Sequence, residues 1–166
     1  LVKMASSDPD PMIAAGAKIA LDSFDLVSHQ EFVLAAFDSD DVRVRSAVLR
    51  SLPLPLSEVT KPVIFKSFGD YPEVYQQTLK LLATMPRERK IQWIQEALTA
   101  NETAIRAGAV KALGGDDHPE TAQLVIQIFE QDDQALEVQK AAGHALRELK
   151  EHLVTGDFIR DATNHS

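Results

Sequence analysis

The chain has 166 residues, of which 45% are hydrophobic, 6% aromatic and 25% charged, a composition typical of an ordinary globular protein. Its 17 Lys and Arg residues against 25 Asp and Glu residues give a formal net charge of −8, which disfavours a generally basic nucleic-acid-binding protein. The chain has no cysteine for disulfides or thiolate zinc sites, and no apolar run long enough to span a membrane.

A pattern repeats along the chain, in which a β-branched anchor is followed eight positions later by Leu, with small residues between them. In chain order the segments are Ile13–Leu21, Val44–Leu52, Val74–Leu82, Ile105–Leu113 and Val138–Leu146. Their anchors lie 31, 30, 31 and 33 residues apart. Positions 0, +4, +7 and +8 share one face of an α-helix, so each segment is predicted to be a helix with that face buried.

A shorter amphipathic stretch precedes each of the later segments. These stretches are Leu26–Phe37, Pro62–Phe68, Glu88–Leu98 and Pro119–Phe129. Proline or glycine breaks the connectors, and Gly114-Gly115 has the pattern of a helix stop. The repeating unit is therefore predicted to be two helices joined by a short polar turn, in about thirty residues.

Acidic and amide residues precede the repeated helices. Asp40, Asp70 and Asn101 are predicted to cap helix N-termini, as is Asp8 in the first repeat. The Asp-Asp pairs at 40–41, 116–117 and 132–133 could suggest a divalent cation, but capping explains them better because they fall at helix starts. We therefore expect no metal site.

Asp38–Leu52 resembles the second helix of a HEAT-like repeat, and Glu102–Leu113 resembles it equally well. The period near 31 is shorter than the roughly 40–47 residues of standard HEAT repeats, and it is similar to the short repeats of the phycobilisome-lyase type. The resemblance covers residues 8–149 and implies an all-α, right-handed solenoid of stacked helical hairpins, a HEAT-like or ARM-like superhelix. The third repeat departs from the pattern, with Tyr75 and Gln77 in place of Arg and a small residue.

The domain organisation follows from this resemblance. We expect about five repeats over residues 1–149, the first one partial, and a partial helix with a frayed tail over 150–166. The first recognisable segment has the pattern of a second helix and the chain does not start with Met, so we expect a piece of a longer array or a processed product. Uncovered apolar faces would make such a piece prone to self-association.

Two arginines directly follow their anchors. The resemblance implies that Arg45 and Arg106 each pair with an acid in the preceding turn, forming a ladder between repeats, and Asp40 and Asn101 lie near enough in sequence to serve. A structural role is favoured over ligand contact.

The sixth position after each anchor is basic or protonatable in four successive repeats and is predicted to face solvent. With two neighbouring residues it forms what we call the cationic row: Arg50, Lys80, Lys111, Lys140, His144 and Arg147. In HEAT-like solenoids the second helices line the concave face, so this row is a candidate partner-binding surface. The alternative is an ordinary solvated helix face. The fifth position, with Leu49, Leu79 and Val110, is expected to pack against the neighbouring repeat.

No catalytic, cofactor-binding or metal-binding motif is present among the residues. Trp93 is interpreted as a packing residue, with a binding anchor as the alternative. We expect a non-catalytic, cytoplasmic protein–protein interaction scaffold without a cofactor, whose partner is a protein segment, acidic where it meets the cationic row. Alternatives are a bilin lyase or chaperone-like subunit, implied by the repeat resemblance, and nucleic-acid binding, which the net charge disfavours.

Overall fold

A computed structural model describes residues 30–116, 118–131 and 135–164, with side chains placed for these residues except 30, 32 and 151–164. The predicted helix Ile13–Leu21 and the predicted cap Asp8 lie outside the described residues. The described part contains eight helices and no strand: α1 Gln30–Phe37, α2 Val42–Arg50, α3 Lys61–Phe68, α4 Pro72–Leu82, α5 Arg87–Ala97, α6 Thr103–Leu113, α7 Pro119–Glu130 and α8 Leu136–Asn164. The all-α prediction is confirmed.

Each described helix corresponds to a predicted segment, because hydrophobic spacing and helix breakers act at the expected places. α2, α4, α6 and α8 each begin two residues before an anchor. Pro62, Pro72 and Pro119 lie in the first turns of their helices, where the missing N–H costs no helical hydrogen bond. α2 ends at Arg50, and the backbone N–H of Ser51 closes its last turn by bonding to helical carbonyls.

The chain divides into two compact units, Leu1–Lys90 and Ile91–Ser166, here called unit 1 and unit 2. In unit 1, α1 packs against α2 and α3 against α4, which forms two hairpins. α1 also packs on α3, and α2 on α4, so first helices stack on first helices and second on second. This is the construction of an α-solenoid. Its buried side chains include Val44, Val48, Leu49, Ile64, Phe68, Val74 and Leu82.

In unit 2, α7 and α8 form a hairpin and α6 packs against both of them. The α6 and α8 faces in this contact are rich in small residues. Ala109, Ala141, Ala142 and Ala145 are all buried, as is Gly108. Small side chains allow two helices to approach closely, which explains why the sequence repeats them at these positions.

A hydroxyl chain satisfies Thr78 and Ser67, two buried polar residues of unit 1. Thr78 occupies a position where the other repeats have Ala or Val, and it is completely buried. Its Oγ1 donates to Ser67 Oγ at 2.6 Å, and Ser67 Oγ donates to the carbonyl of Ile64 at 2.6 Å. Because each donor has an acceptor, the cost of burying these hydroxyls is offset.

α8 runs without interruption from Leu136 to Asn164. The segment expected to form a separate partial helix after residue 149 therefore begins inside this helix. The domain limits drawn from the sequence remain predictions.

Gly114 follows α6 without a left-handed backbone conformation, with φ of −60°. Glycine at this position allows close packing, because a Cβ added there would meet Glu148 Oε2 and would lie 3.1 Å from the Cα of Ala145. The neighbouring Gly115 has no atom within 4 Å of such a Cβ.

We expect Gly114→Ala to lower the free energy of unfolding by about 1–3 kcal/mol, because overpacking pushes α6 away from α8. Gly115→Ala is the matched control and should leave stability unchanged or raise it by up to about 1 kcal/mol, since Ala restricts the unfolded chain. Chemical denaturation of the two variants measures the difference. Equal stabilities would contradict the close-packing role of Gly114.

Candidate functional site

Arg45 is held by a buried ion pair that joins successive repeats of unit 1. Its Nε and Nη2 donate to the two carboxylate oxygens of Asp70 at 2.6 and 2.8 Å, and its Nη1 donates to the carbonyl of Ser39. The two side chains are only 12% and 8% exposed. The structural role is confirmed, but the expected partner Asp40 is wrong: the acid comes from the turn before α4, where stacking of α2 on α4 brings it close.

The surroundings of Arg45 hold its guanidinium in place. The hydrogen bonds with Asp70 raise the pKa of Arg45 above its ordinary value. The ring of Tyr71 also lies 5.7 Å from the guanidinium carbon, within the range of a cation–π contact. Arg45 is thus a structural link between α2 and the turn before α4.

Arg106 uses backbone acceptors. Its Nη1 donates to the carbonyls of Ala100 at 2.7 Å and Asn101 at 2.8 Å, and its Nη2 donates to Thr103 Oγ1 at 3.3 Å. The expected pairing with the side chain of Asn101, as part of a ladder between repeats, is wrong, because the described acceptors of Arg106 lie in the turn before its own helix and at its start. The structural role of Arg106 is confirmed, because the guanidinium ties the turn before α6 to the helix.

The residues of the cationic row are all exposed on the second helices. Arg50 on α2 and Lys80 on α4 belong to unit 1, and Lys111 on α6 belongs to unit 2, with Lys140, His144 and Arg147 on α8. Because α2 packs on α4 and α6 on α8, each unit brings its own members of the row onto adjacent helices.

Cations elsewhere on unit 1 are neutralised by nearby carboxylates. Lys66 Nζ lies 2.6 Å from Asp38, Lys61 Nζ 3.0 Å from Glu58, and Arg43 Nη2 3.1 Å from Asp41. Among the described side chains, by contrast, Lys80, Lys111, Lys140 and Arg147 form no ion pair, and Arg50 donates only to the Ser46 hydroxyl at 2.9 Å. An acidic protein therefore keeps uncompensated positive charge on its second helices.

His144 lies beside an acid on its own helix. Its Nδ1 is 3.5 Å from Glu148 Oε1, one turn later on α8. Lys140 lies one turn before it.

Other candidates have structural roles. Leu49 and Val110 are completely buried, which confirms packing for the fifth position in these two repeats, and Trp93 is 1% exposed, which confirms it as a packing residue.

One described residue of the acidic pairs is a cap and another is a core residue. The predicted caps Asp70 and Asn101 are wrong, because Tyr71 and Glu102 occupy the N-cap positions of α4 and α6 and neither helix has a side-chain cap hydrogen bond. Asp41, and not the expected Asp40, caps α2 by accepting from the backbone N–H of Arg43 at 2.9 Å. Asp116 is buried and accepts a hydrogen bond from Thr121 Oγ1. Asp117, Asp132 and Asp133 lie outside the described residues. Within the described part of the chain, no group of three potential ligands could hold a metal ion.

Two features were missed by the sequence analysis. Asp70 could have been found only by knowing which helices stack. The apolar side chains Ile126 and Phe129 on α7 and Leu136 on α8 are exposed. A helical pattern does not show whether another element covers such residues.

A family model for HEAT repeats matches residues 62–147, which is slightly more than half of the chain. No curated protein and no solved structure matches the sequence. Among the described helices, none combines the length and the apolar character that crossing a bilayer requires.

Proposed function

Because the chain belongs to the HEAT-repeat family, we propose that it is a non-catalytic interaction module that binds an acidic protein segment through its cationic row. The supporting observation is that positive charge is exposed and without ion pairs on the second helices of both units, among the described side chains. HEAT repeats generally serve as protein-interaction scaffolds, and stacked hairpins provide long surfaces for extended partners.

The distribution of charge indicates that the residues of the cationic row serve binding and not stability. Exposed ion pairs contribute little to the free energy of folding. The protein therefore does not need the ion pairs of the other unit 1 cations in order to stay folded. Exposed charge of one sign increases the rate of association with an oppositely charged partner and suppresses the wrong partners. In a chain of net charge −8, clustered cations therefore select for acidic segments.

The spacing suggests the form of the partner. Packed helices lie about 8–10 Å apart, and an extended peptide advances by about 3.3 Å per residue. Adjacent cations in one unit therefore match acids at every third residue of an extended segment. A labelled peptide of about 15 residues with this pattern is the direct probe.

We expect the double variants Arg50→Glu/Lys80→Glu and Lys111→Glu/Lys140→Glu each to weaken binding of this peptide about tenfold or more, because close opposite charges become like charges. Fluorescence anisotropy measures the affinity, which should also fall steeply at about 1 M salt. Lys66→Glu is the control on a first helix. Equal losses for all variants, or no binding by the native protein, would contradict the proposal.

A bilin lyase or chaperone-like role is the second candidate. It is supported only by the similarity of the 31-residue period to repeats of the phycobilisome-lyase type, and a shared repeat does not carry a shared activity. Mixing the protein with a free bilin should change the absorption spectrum if this role is correct. An unchanged spectrum would remove its support.

Nucleic-acid binding through the same cations is the third candidate. Phosphate contacts provide most of the affinity in such complexes and require clustered cations across the surface. The acidic net charge opposes this. Failure of duplex DNA to bind at low salt would exclude it, whereas salt-sensitive binding that is lost in Lys111→Glu/Lys140→Glu would favour it over a protein partner.

A further inference from the structure

The α7–α8 hairpin of unit 2 exposes three large apolar side chains. Ile126 is 41% exposed, Phe129 47% and Leu136 63%. Ile126 and Phe129 lie one helical turn apart on α7, and Leu136 begins α8. Single exposed apolar residues are common, but a group of them on one hairpin is typical of an interaction surface.

Cations are interleaved with this apolar group. Leu136, Lys140, Gly143 and Arg147 are spaced by four, three and four residues, so they form one line along α8. Gly143 has no side chain, and the Phe129 ring is near that position: a Cβ built on Gly143 would lie 3.5 Å from Phe129 Cε2. The ring therefore lies along the line between Lys140 and Arg147.

The charges of this line are open to a partner. Among the described side chains, neither Lys140 nor Arg147 forms an ion pair. Glu137 is exposed one turn before Lys140, and Glu148, next to Arg147 in the sequence, lies 3.5 Å from His144 and close to the α6 end at Gly114. We call the surface of Ile126, Phe129, Leu136, Lys140 and Arg147 the Phe129 patch.

We propose that the Phe129 patch is a docking site for a partner protein's amphipathic segment, one that carries apolar side chains flanked by acidic ones. The inference rests on the proposed function and deepens it, because it shares two cations of the row and adds apolar anchors to them. Burial of Phe129 and Leu136 supplies affinity. Lys140 and Arg147 select acids on either side of the apolar contact and so fix the orientation of the segment.

The charge pattern distinguishes this partner from others. A purely acidic chain would satisfy the cations but leave the apolar side chains in water. A purely apolar surface would bury Lys140 and Arg147 without partners, which is costly. Only a segment with both features complements the whole patch.

The test is selection from a random peptide library displayed on phage, with the full-length chain as the immobilised target. Enriched peptides are sequenced, synthesised and titrated against the native protein, Phe129→Ser, Leu136→Gln and Lys140→Glu/Arg147→Glu. Circular dichroism checks the fold of each variant. Lys61→Glu/Lys66→Glu on α3 of unit 1 is the control for the loss of two cations outside the cationic row.

We expect the enriched peptides to combine Leu, Ile or Phe with Asp or Glu, and to lose affinity about tenfold or more in Phe129→Ser and in Lys140→Glu/Arg147→Glu. Acidic peptides that ignore Phe129→Ser but respond to the charge reversals would overturn the patch and leave the proposed function standing. Peptides that respond to neither change, or a selection without enrichment, would overturn both.

Discussion

Arg45→Ala is expected to lower the free energy of unfolding by about 3 kcal/mol, because it leaves the buried carboxylate of Asp70 without its partner. The substitution also removes the hydrogen bond to Ser39, which ties the turn before α2. Since the pair links α2 to the turn before α4, the loss should fall on the stacking of the two repeats in unit 1. Urea denaturation followed by circular dichroism measures the change.

Two comparisons distinguish the loss of the Arg45–Asp70 ion pair from a general effect of removing a charged side chain. Arg43 forms an ion pair with Asp41 at 3.1 Å but its side chain is 64% exposed, so Arg43→Ala should change stability little. In a double-mutant cycle, Arg45→Met and Asp70→Leu together should cost much less than the two single changes summed, because no charge is left buried alone. Equal effects of Arg45→Ala and Arg43→Ala would contradict the account of this link.

Trp93→Ala should cost about 3–5 kcal/mol, because it empties the space of the largest fully buried side chain. Its emission provides a second measurement, since it is the one tryptophan of the chain. The native spectrum should be blue-shifted and should move to the red as the protein unfolds. Gln95→Ala, on the exposed face of α5, is the control.

The alternative interpretation of Trp93 as a binding anchor predicts a different result. Trp93→Ala would then weaken binding of the acidic peptide with little change in stability. A stability close to that of Gln95→Ala would contradict the packing role.

The fold followed from the sequence because its signals are local and repeated. The anchors Val44, Val74 and Val138 are buried as the helical period requires, and prolines lie where helices begin. Among the described residues, four predicted first helices and four predicted second helices appear, and all but α8, which continues to Asn164, end within a few residues of their expected limits. The pattern of a single short segment can leave its secondary structure ambiguous, but five copies of one pattern all indicate the same helix.

The pairings could not be predicted in the same way, because they join residues that are distant in sequence. Arg45 has several acids within reach along the chain, and only the stacking of α2 on α4 selects Asp70 over Asp40. The exposure of Phe129 likewise depends on which element covers α7. The solvent-facing position of the cationic row could be predicted from the helical period alone. The lack of ion pairs at Lys80, Lys111, Lys140 and Arg147, among the described side chains, depends on contacts between helices that the period does not give.

The most direct test of the central claim, that the second helices bind an acidic partner, is a two-dimensional NMR titration. Isotope-labelled protein is titrated with the acidic peptide of about 15 residues, and the amide shifts are mapped onto the helices. The account predicts salt-sensitive changes on α2, α4, α6 and α8 that centre on Arg50, Lys80, Lys111 and Lys140. Changes centred on α1, α3 or α5, or a spectrum that does not respond, would contradict it.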